Sequence, residues 1–196
     1  FRRQEHDPNR ANEYIQVGYE VFDRTDPAAA DAEVFALISQ ALAGLPVRAV
    51  TGDIGVLMAA VDGLETTARR KQALMRHIWR PRRFRALLDR FSGRVPVPAA
   101  RAALLVGNVT NNAPLIGLRS AAEIEARIAA LHEDATTPAI SAKQVQLIET
   151  LLGIRQTMPH AVSRLHDLAV DMPQIGQAVE RVAAREKALR KHGIDT

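Results

Sequence analysis

Tyr14-Ile15-Gln16-Val17-Gly18-Tyr19-Glu20-Val21-Phe22, followed closely by Asp26-Pro27-Ala28-Ala29-Ala30-Asp31-Ala32-Glu33, organises the rest of the chain. In the first segment Tyr14, Gln16, Gly18 and Glu20 alternate with Ile15, Val17, Tyr19 and Val21. A period of two predicts a strand with a polar working face and a buried apolar face. Gly18 lies on the polar face, where a missing side chain admits a close approach, a bulge or a tight packing contact. The second segment predicts a helix start, with Asp26 as N-cap and Pro27 at the first helical position, where its missing N–H is not needed.

Outward from this stretch the pattern extends in both directions. Phe1 to Gln4 reads as the end of a strand, and residues 5–13 as a polar loop between it and the next strand. Beyond Asp31, the apolar positions Val34, Leu37, Ile38, Ala41, Leu42 and Leu45 predict one buried helix face, with Gly44 near the C-cap. Pro46-Val47-Arg48-Ala49-Val50-Thr51-Gly52-Asp53 alternates again and predicts a second strand, parallel or antiparallel to the first.

From Ile54 onward the pattern is helical. Ile54 to Val61 predicts a short buried helix ending near Gly63. Thr66 or Thr67 can cap a helix through Leu74, Met75, Ile78 and Trp79, and Pro81 restarts it before Phe84, Leu87, Leu88 and Phe91. A helix over 99–106 precedes a turn-rich loop from Gly107 to Pro114. Ser120 with Glu123, and Ser141 with Gln144, are capping boxes. The first predicts Ile124, Ile128 and Leu131 facing inward, the second Val145, Ile148, Leu151 and Leu152. The last helices are predicted near 159–170 and 173–192, with Gly193 as the stop. The expected organisation is an α+β portion over 1–53 and a mostly helical region over 54–196.

The chain has 196 residues, 47% hydrophobic but only 4% aromatic, so its core is expected to be aliphatic and alanine-rich. It has no Cys, which removes disulfides and thiolate metal sites and suits a cytoplasmic location. No run of about 18 apolar residues and no charged-then-apolar leader occurs, so no membrane association is expected. Phe1-Arg2-Arg3-Gln4 lacks a Met and reads as the middle of an element, so the chain is expected to be a piece of a longer protein.

The 26 basic residues exceed the 22 acidic ones modestly, but ten of them cluster: Arg69, Arg70, Lys71, Arg76, Arg80, Arg82, Arg83, Arg85, Arg90 and Arg94. Such a cluster can grip the phosphates of RNA or a nucleotide, or form a solvated helix face. Trp79, Phe84 and Phe91 fall at helical core positions and form no stacking platform, which favours the solvated face, so nucleic acid is not the expected partner. The six His residues are scattered without carboxylates at ligand spacing, so no metal is expected. No phosphate loop, nucleophile elbow or Gly-rich dinucleotide motif occurs. On the polar strand face Gln16 and Glu20 can hold an amine or imidazole, and Arg2 and Arg10 anionic groups.

The run from Phe1-Arg2-Arg3-Gln4 to Tyr14-Ile15-Gln16-Val17-Gly18-Tyr19-Glu20-Val21-Phe22 resembles the second signature motif of class II aminoacyl-tRNA synthetases of the histidyl type. Asp31-Ala32-Glu33 is similar to the helix that follows it there. The resemblance implies an antiparallel-sheet core followed by a mostly helical region. It implies that Arg2 holds carboxylate and α-phosphate, that Arg10 reaches the nucleotide phosphates, and that Gln16 and Glu20 grip histidine. Two features depart from the synthetase pattern: Gln4 stands where the family's adenine-reading Glu is found, and the loop carries Glu5, Asp7 and Asn12. Losing that acceptor weakens adenine recognition, and acidic side chains repel ATP.

This combination, with Thr51-Gly52-Asp53-Ile54-Gly55-Val56-Leu57 and the run Arg76 to Leu88, resembles the histidyl-synthetase paralogues that act as regulatory subunits of ATP phosphoribosyltransferase in histidine biosynthesis. That likeness implies a non-catalytic chain without cofactor. It would activate the short catalytic subunit in a hetero-oligomer, self-associate and take histidine as effector. Arg2, Gln16 and Glu20 would line the histidine site, with Arg2, Gln4 and Arg10 as a vestigial nucleotide site. The alternatives are a histidyl-tRNA synthetase making histidyl-adenylate and a helical RNA-binding module using Arg69 to Arg94.

Overall fold

The computed structural model describes residue 13, residues 15–107 and residues 116–196. Among them the regular elements are all helical: α1 (Pro27–Ala41), α2 (Ile54–Asp62), α3 (Ala68–Arg76), α4 (Pro81–Phe91), α5 (Ala99–Leu105), α6 (Ala121–Thr136), α7 (Ala142–Gly153), α8 (Met158–Asp171), a 3-10 turn (Pro173–Ile175) and α9 (Gly176–Lys191). The chain divides into two compact units, one of residues 1–50 with 183–196 and one of residues 51–182.

The expected α+β fold with an antiparallel-sheet core is overturned: among the described residues there is no strand and no sheet. Residues 15–22 and 46–53 are irregular, and Ile15 and Val17, expected on a buried face, are 95% and 91% exposed. The strand expected at Phe1 to Gln4, and Tyr14, lie outside the described residues. A strand takes its hydrogen bonds and its buried face from neighbours, so alternation marks what a segment could pack against and not what it forms alone.

In the first unit, α1 begins as its sequence dictates. The Asp26 carboxylate accepts from the Ala29 N–H at 3.0 Å, and Pro27 occupies the first turn. Its buried face differs from the expected one: Ala32 and Ala36 are buried, while Leu37, Ile38, Leu42 and Leu45 are substantially exposed. The chain leaves the helix through Gly44, whose φ of +92° is left-handed and easy only for glycine. Arg185 donates to Asp31 at 2.7 Å, and Leu189 is buried in the same unit.

The second unit holds the continuous apolar core. Val56, Leu57, Ala60 and Val61 of α2, Leu74 of α3, Phe84, Leu88 and Phe91 of α4, and Val145 and Ile148 of α7 are all buried in it. So are Leu165, Leu168, Ile175 and Val179. The helix α2 packs on α3, α7 and the 3-10 turn, α3 on α4, α7 on α8, and α5 on α6. The caps are local: Asp53 accepts from Gly55 N–H, Thr67 from Arg70 N–H, and Ser120 with Glu123 forms the expected reciprocal capping box, whereas of the box expected at Ser141 only the bond from Gln144 N–H forms, the Gln144 Oε1 being buried without a partner. On α6, Ile124, Ile128 and Leu131 are only half-buried, and Ala130 is the buried position.

Trp79 also departs from expectation. It is 75% exposed, because α3 ends at Arg76 and the helical phase that would have carried Trp79 inward is broken before α4 restarts at Pro81. No helix among the described residues is long and apolar enough to cross a membrane.

Candidate functional site

The basic cluster of α3 and α4 separates into two chemically different sets. One set is structural. Arg70, 5% exposed, donates from Nε to Asp134 Oδ1 at 2.6 Å, from Nη1 to the Pro138 carbonyl at 2.8 Å and from Nη2 to the Asp134 carbonyl at 2.7 Å. Arg101 of α5 donates to the other Asp134 oxygen at 2.5 Å. Arg70 and Arg90 both lie over the Phe91 ring, 5.1 and 4.8 Å from its centroid, within range of a cation–π contact. Arg94 pairs with Glu149 at 2.5 Å, and Lys71 reaches the Asp62 carbonyl.

Two guanidinium groups, Arg70 and Arg101, thus share one carboxylate, with Arg90 nearby. Burial alone would raise the Asp134 carboxyl, but hydrogen bonds and charge from Arg70 and Arg101 outweigh it and hold the group below its ordinary value. Burial, then the charges of Arg101 and Arg70, push the Arg90 guanidinium below its usual value against the pull of Asp134. Arg90 Nε is buried without a hydrogen-bond partner.

The other set faces water. Arg69, Arg76, Arg80, Arg82, Arg83 and Arg85 are exposed, and none of their side chains makes a hydrogen bond or ion pair with a described residue. Five of them surround Trp79 in sequence, at the end of α3, in the link and in the first turns of α4. Phe84 and Leu88 anchor the opposite face of α4 in the core, so the backbone carrying these side chains is fixed.

Of the residues expected to bind histidine and nucleotide, Arg2, Gln4 and Arg10 lie outside the described residues. Gln16 and Glu20 are exposed, two residues either side of Gly18 in the irregular stretch. Between them Tyr19 donates its hydroxyl to Glu33 of α1 at 2.7 Å, and that hydrogen bond and the carboxylate charge raise the phenol above its ordinary value. Among the described residues no group of three or more His, Asp or Glu is placed to hold a metal ion. Asp134 and Arg101 escape sequence reading because their partner stands far away in the chain. The single weak signal is an acid within the inward-facing half of α6.

The sequence model of the histidyl-tRNA synthetase family matches residues 1–107, more than half of the chain, and the chain belongs to that family. The match contains Arg2, Gln4, Arg10, Gln16 and Glu20 as well as the run from Arg76 to Arg85. No curated protein and no solved structure matches the chain.

Proposed function

We propose that the chain is part of a non-catalytic regulatory subunit of ATP phosphoribosyltransferase, a cytoplasmic protein of histidine biosynthesis. It would join the short catalytic subunit in a hetero-oligomer, self-associate there, and convey inhibition by histidine. The observation that carries this reading is membership of the histidyl-tRNA synthetase family in a chain with Gln4 where the synthetase motif has an adenine-reading Glu. Glu5 and Asp7 beside it oppose a nucleotide triphosphate by charge. A pocket that keeps histidine contacts and loses adenine contacts can use ligand binding to bias an assembly equilibrium instead of driving adenylate chemistry. Arg2, Gln16 and Glu20 are the residues assigned to histidine, on the motif resemblance.

The test mixes the full-length parent with the short-form catalytic subunit and follows phosphoribosyl-ATP formation. Stimulation that histidine suppresses is the expected result, and Glu20→Ala should weaken the suppression while leaving the stimulation. No stimulation would overturn the reading. The second reading, a histidyl-tRNA synthetase making histidyl-adenylate, is favoured by the family match itself. It predicts histidine-dependent ATP–pyrophosphate exchange by the same parent.

A further inference from the structure

We propose that the corner between α3 and α4, centred on Trp79, is a docking surface for a carboxylate-rich face of a protein partner. The partner is assigned as the short catalytic subunit, an assignment that rests on the function proposed above.

Three observations converge on this corner. Trp79 is 75% exposed although Ile78 beside it is 8% exposed and Phe84 beyond it 1%. The backbone is therefore pinned on both sides and presents the indole outward. A tryptophan left in water forgoes one of the largest apolar burials a side chain offers.

The first turn of α4 is also built against its own stability. Arg80 is the N-cap residue and makes no side-chain cap, Arg82 and Arg83 follow Pro81, and the turn contains no acid. The helix macrodipole puts partial positive charge at this end, so each guanidinium is repelled by the helix as well as by its neighbours. No carboxylate among the described residues relieves them. An incoming carboxylate would meet the helix N-terminus and several arginine forks together, and paired oxygens suit those forks geometrically.

The third observation separates a protein from a nucleic acid. Binding a single strand relies on successive aromatic platforms, but the other two aromatics of this unit, Phe84 and Phe91, are buried. One exposed tryptophan flanked in sequence on both sides by exposed arginines matches the composition of a protein–protein hot spot, in which Trp and Arg are the enriched residues.

Trp79 is the single tryptophan of the chain, so its emission reports on this surface. Replaced by 5-hydroxytryptophan in the full chain, it can be excited selectively while the short catalytic subunit is added, with association followed in parallel by sedimentation. The expected result is a blue shift on association. Affinity should fall at least tenfold in Trp79→Ala and in the triple variant Arg82→Gln, Arg83→Gln, Arg85→Gln, and fall steeply with salt in the wild type. Unchanged helical circular dichroism would show that both variants fold. Association with unmoved emission and unchanged affinity in both variants would overturn the surface while sparing the proposed function. Absence of any association would overturn the function and, with it, the assigned partner. A larger blue shift and tighter binding with transfer RNA than with the catalytic subunit would assign the surface to nucleic acid and overturn the proposal.

Discussion

Arg70 and Asp134, 64 positions apart in the chain, meet through an Nε–Oδ1 contact of 2.6 Å with side chains only 6% and 13% exposed. The same guanidinium caps the end of α6 by donating to the carbonyls of Asp134, Thr137 and Pro138. One side chain thereby satisfies backbone groups that the helix leaves open, and a second arginine, Arg101, completes the carboxylate.

Asp134→Ala should destabilise the unit of residues 51–182 by about 3–5 kcal/mol, because it leaves Arg70 buried without its counter-charge. Arg101→Ala keeps the inner pair and should cost less, about 1.5–3 kcal/mol for a hydrogen bond to a charged group. Urea unfolding of the two variants checks the ranking. Equal losses would show that the inner pair is not the anchor.

The depressed Asp134 carboxyl gives the fold an acid limit. In the native state this group gives up its proton more readily than in the unfolded chain, so its stabilisation is complete above the unfolded value of about 3.9. It is lost as pH falls through the lower native value. The stability gap between wild type and Asp134→Asn should therefore be constant from neutral pH to about pH 5 and close below about pH 4. Chemical denaturation at a series of pH values measures it, and a gap that persists undiminished at pH 2 would contradict the assignment.

In α1 the small residues are the packed ones. Ala32→Leu should cost about 1–3 kcal/mol by overpacking, whereas Leu37→Ser, at a position 43% exposed, should cost no more than about 1 kcal/mol. Thermal melts of the two variants would reverse in order if the aliphatic stripe of Val34, Leu37 and Ile38 were the buried face.

The first turn of α4 should be improvable. Arg82→Gln or Arg83→Gln removes a positive charge from the positive end of the helix, and each should raise stability by about 0.3–1 kcal/mol at low ionic strength. The gain should shrink as salt screens the field. Variants less stable than wild type at low salt would mean that these arginines hold α4 through contacts of their own.

Removing the Ser120 hydroxyl breaks one half of the reciprocal cap, in which Ser120 Oγ accepts from Glu123 N–H and Glu123 accepts from Ser120 N–H at 2.7 Å. Ser120→Ala should cost about 1 kcal/mol, seen as increased amide hydrogen exchange over the first turn of α6. Ser120→Asp, which keeps an acceptor, should restore protection.

What the sequence disclosed depends on how far apart the partners stand. Asp26, Thr66 or Thr67, Ser120 and Ser141 are legible as caps because a cap is completed within three residues; α2 is legible as the apolar run from Ile54 to Val61, and α4 because Phe84, Leu88 and Phe91 recur at helical spacing. The alternation over 15–22 was misleading because no neighbouring strand stands among the described residues to complete it. On α1, alanines and aliphatic residues draw two overlapping stripes, and the packing partner, not the stripe itself, selected Ala32 and Ala36. Arg70 looked like one more exposed arginine, since nothing near it in sequence announces Asp134. The exposed arginines of the candidate surface were visible as a cluster, but Trp79 was assigned inward by carrying the phase of α3 past its actual end. Gln16 and Glu20 were found by motif alone, and their place in an irregular stretch was not foreseeable from it.

The exposed stretch of residues 15–22 has a colloidal consequence. Ile15, Val17, Tyr19 and Phe22 stand open to solvent in a segment with strong β-propensity and no proline, which is the profile of a cross-β seed. Glu20 is the single charge within it, and Asp23 closes it, so these two acids act as gatekeepers against self-templating. The solution behaviour of the chain should then turn on them: replacing Glu20 by Gln and Asp23 by Asn leaves an uncharged, β-prone segment that concentrated samples should assemble into fibrils.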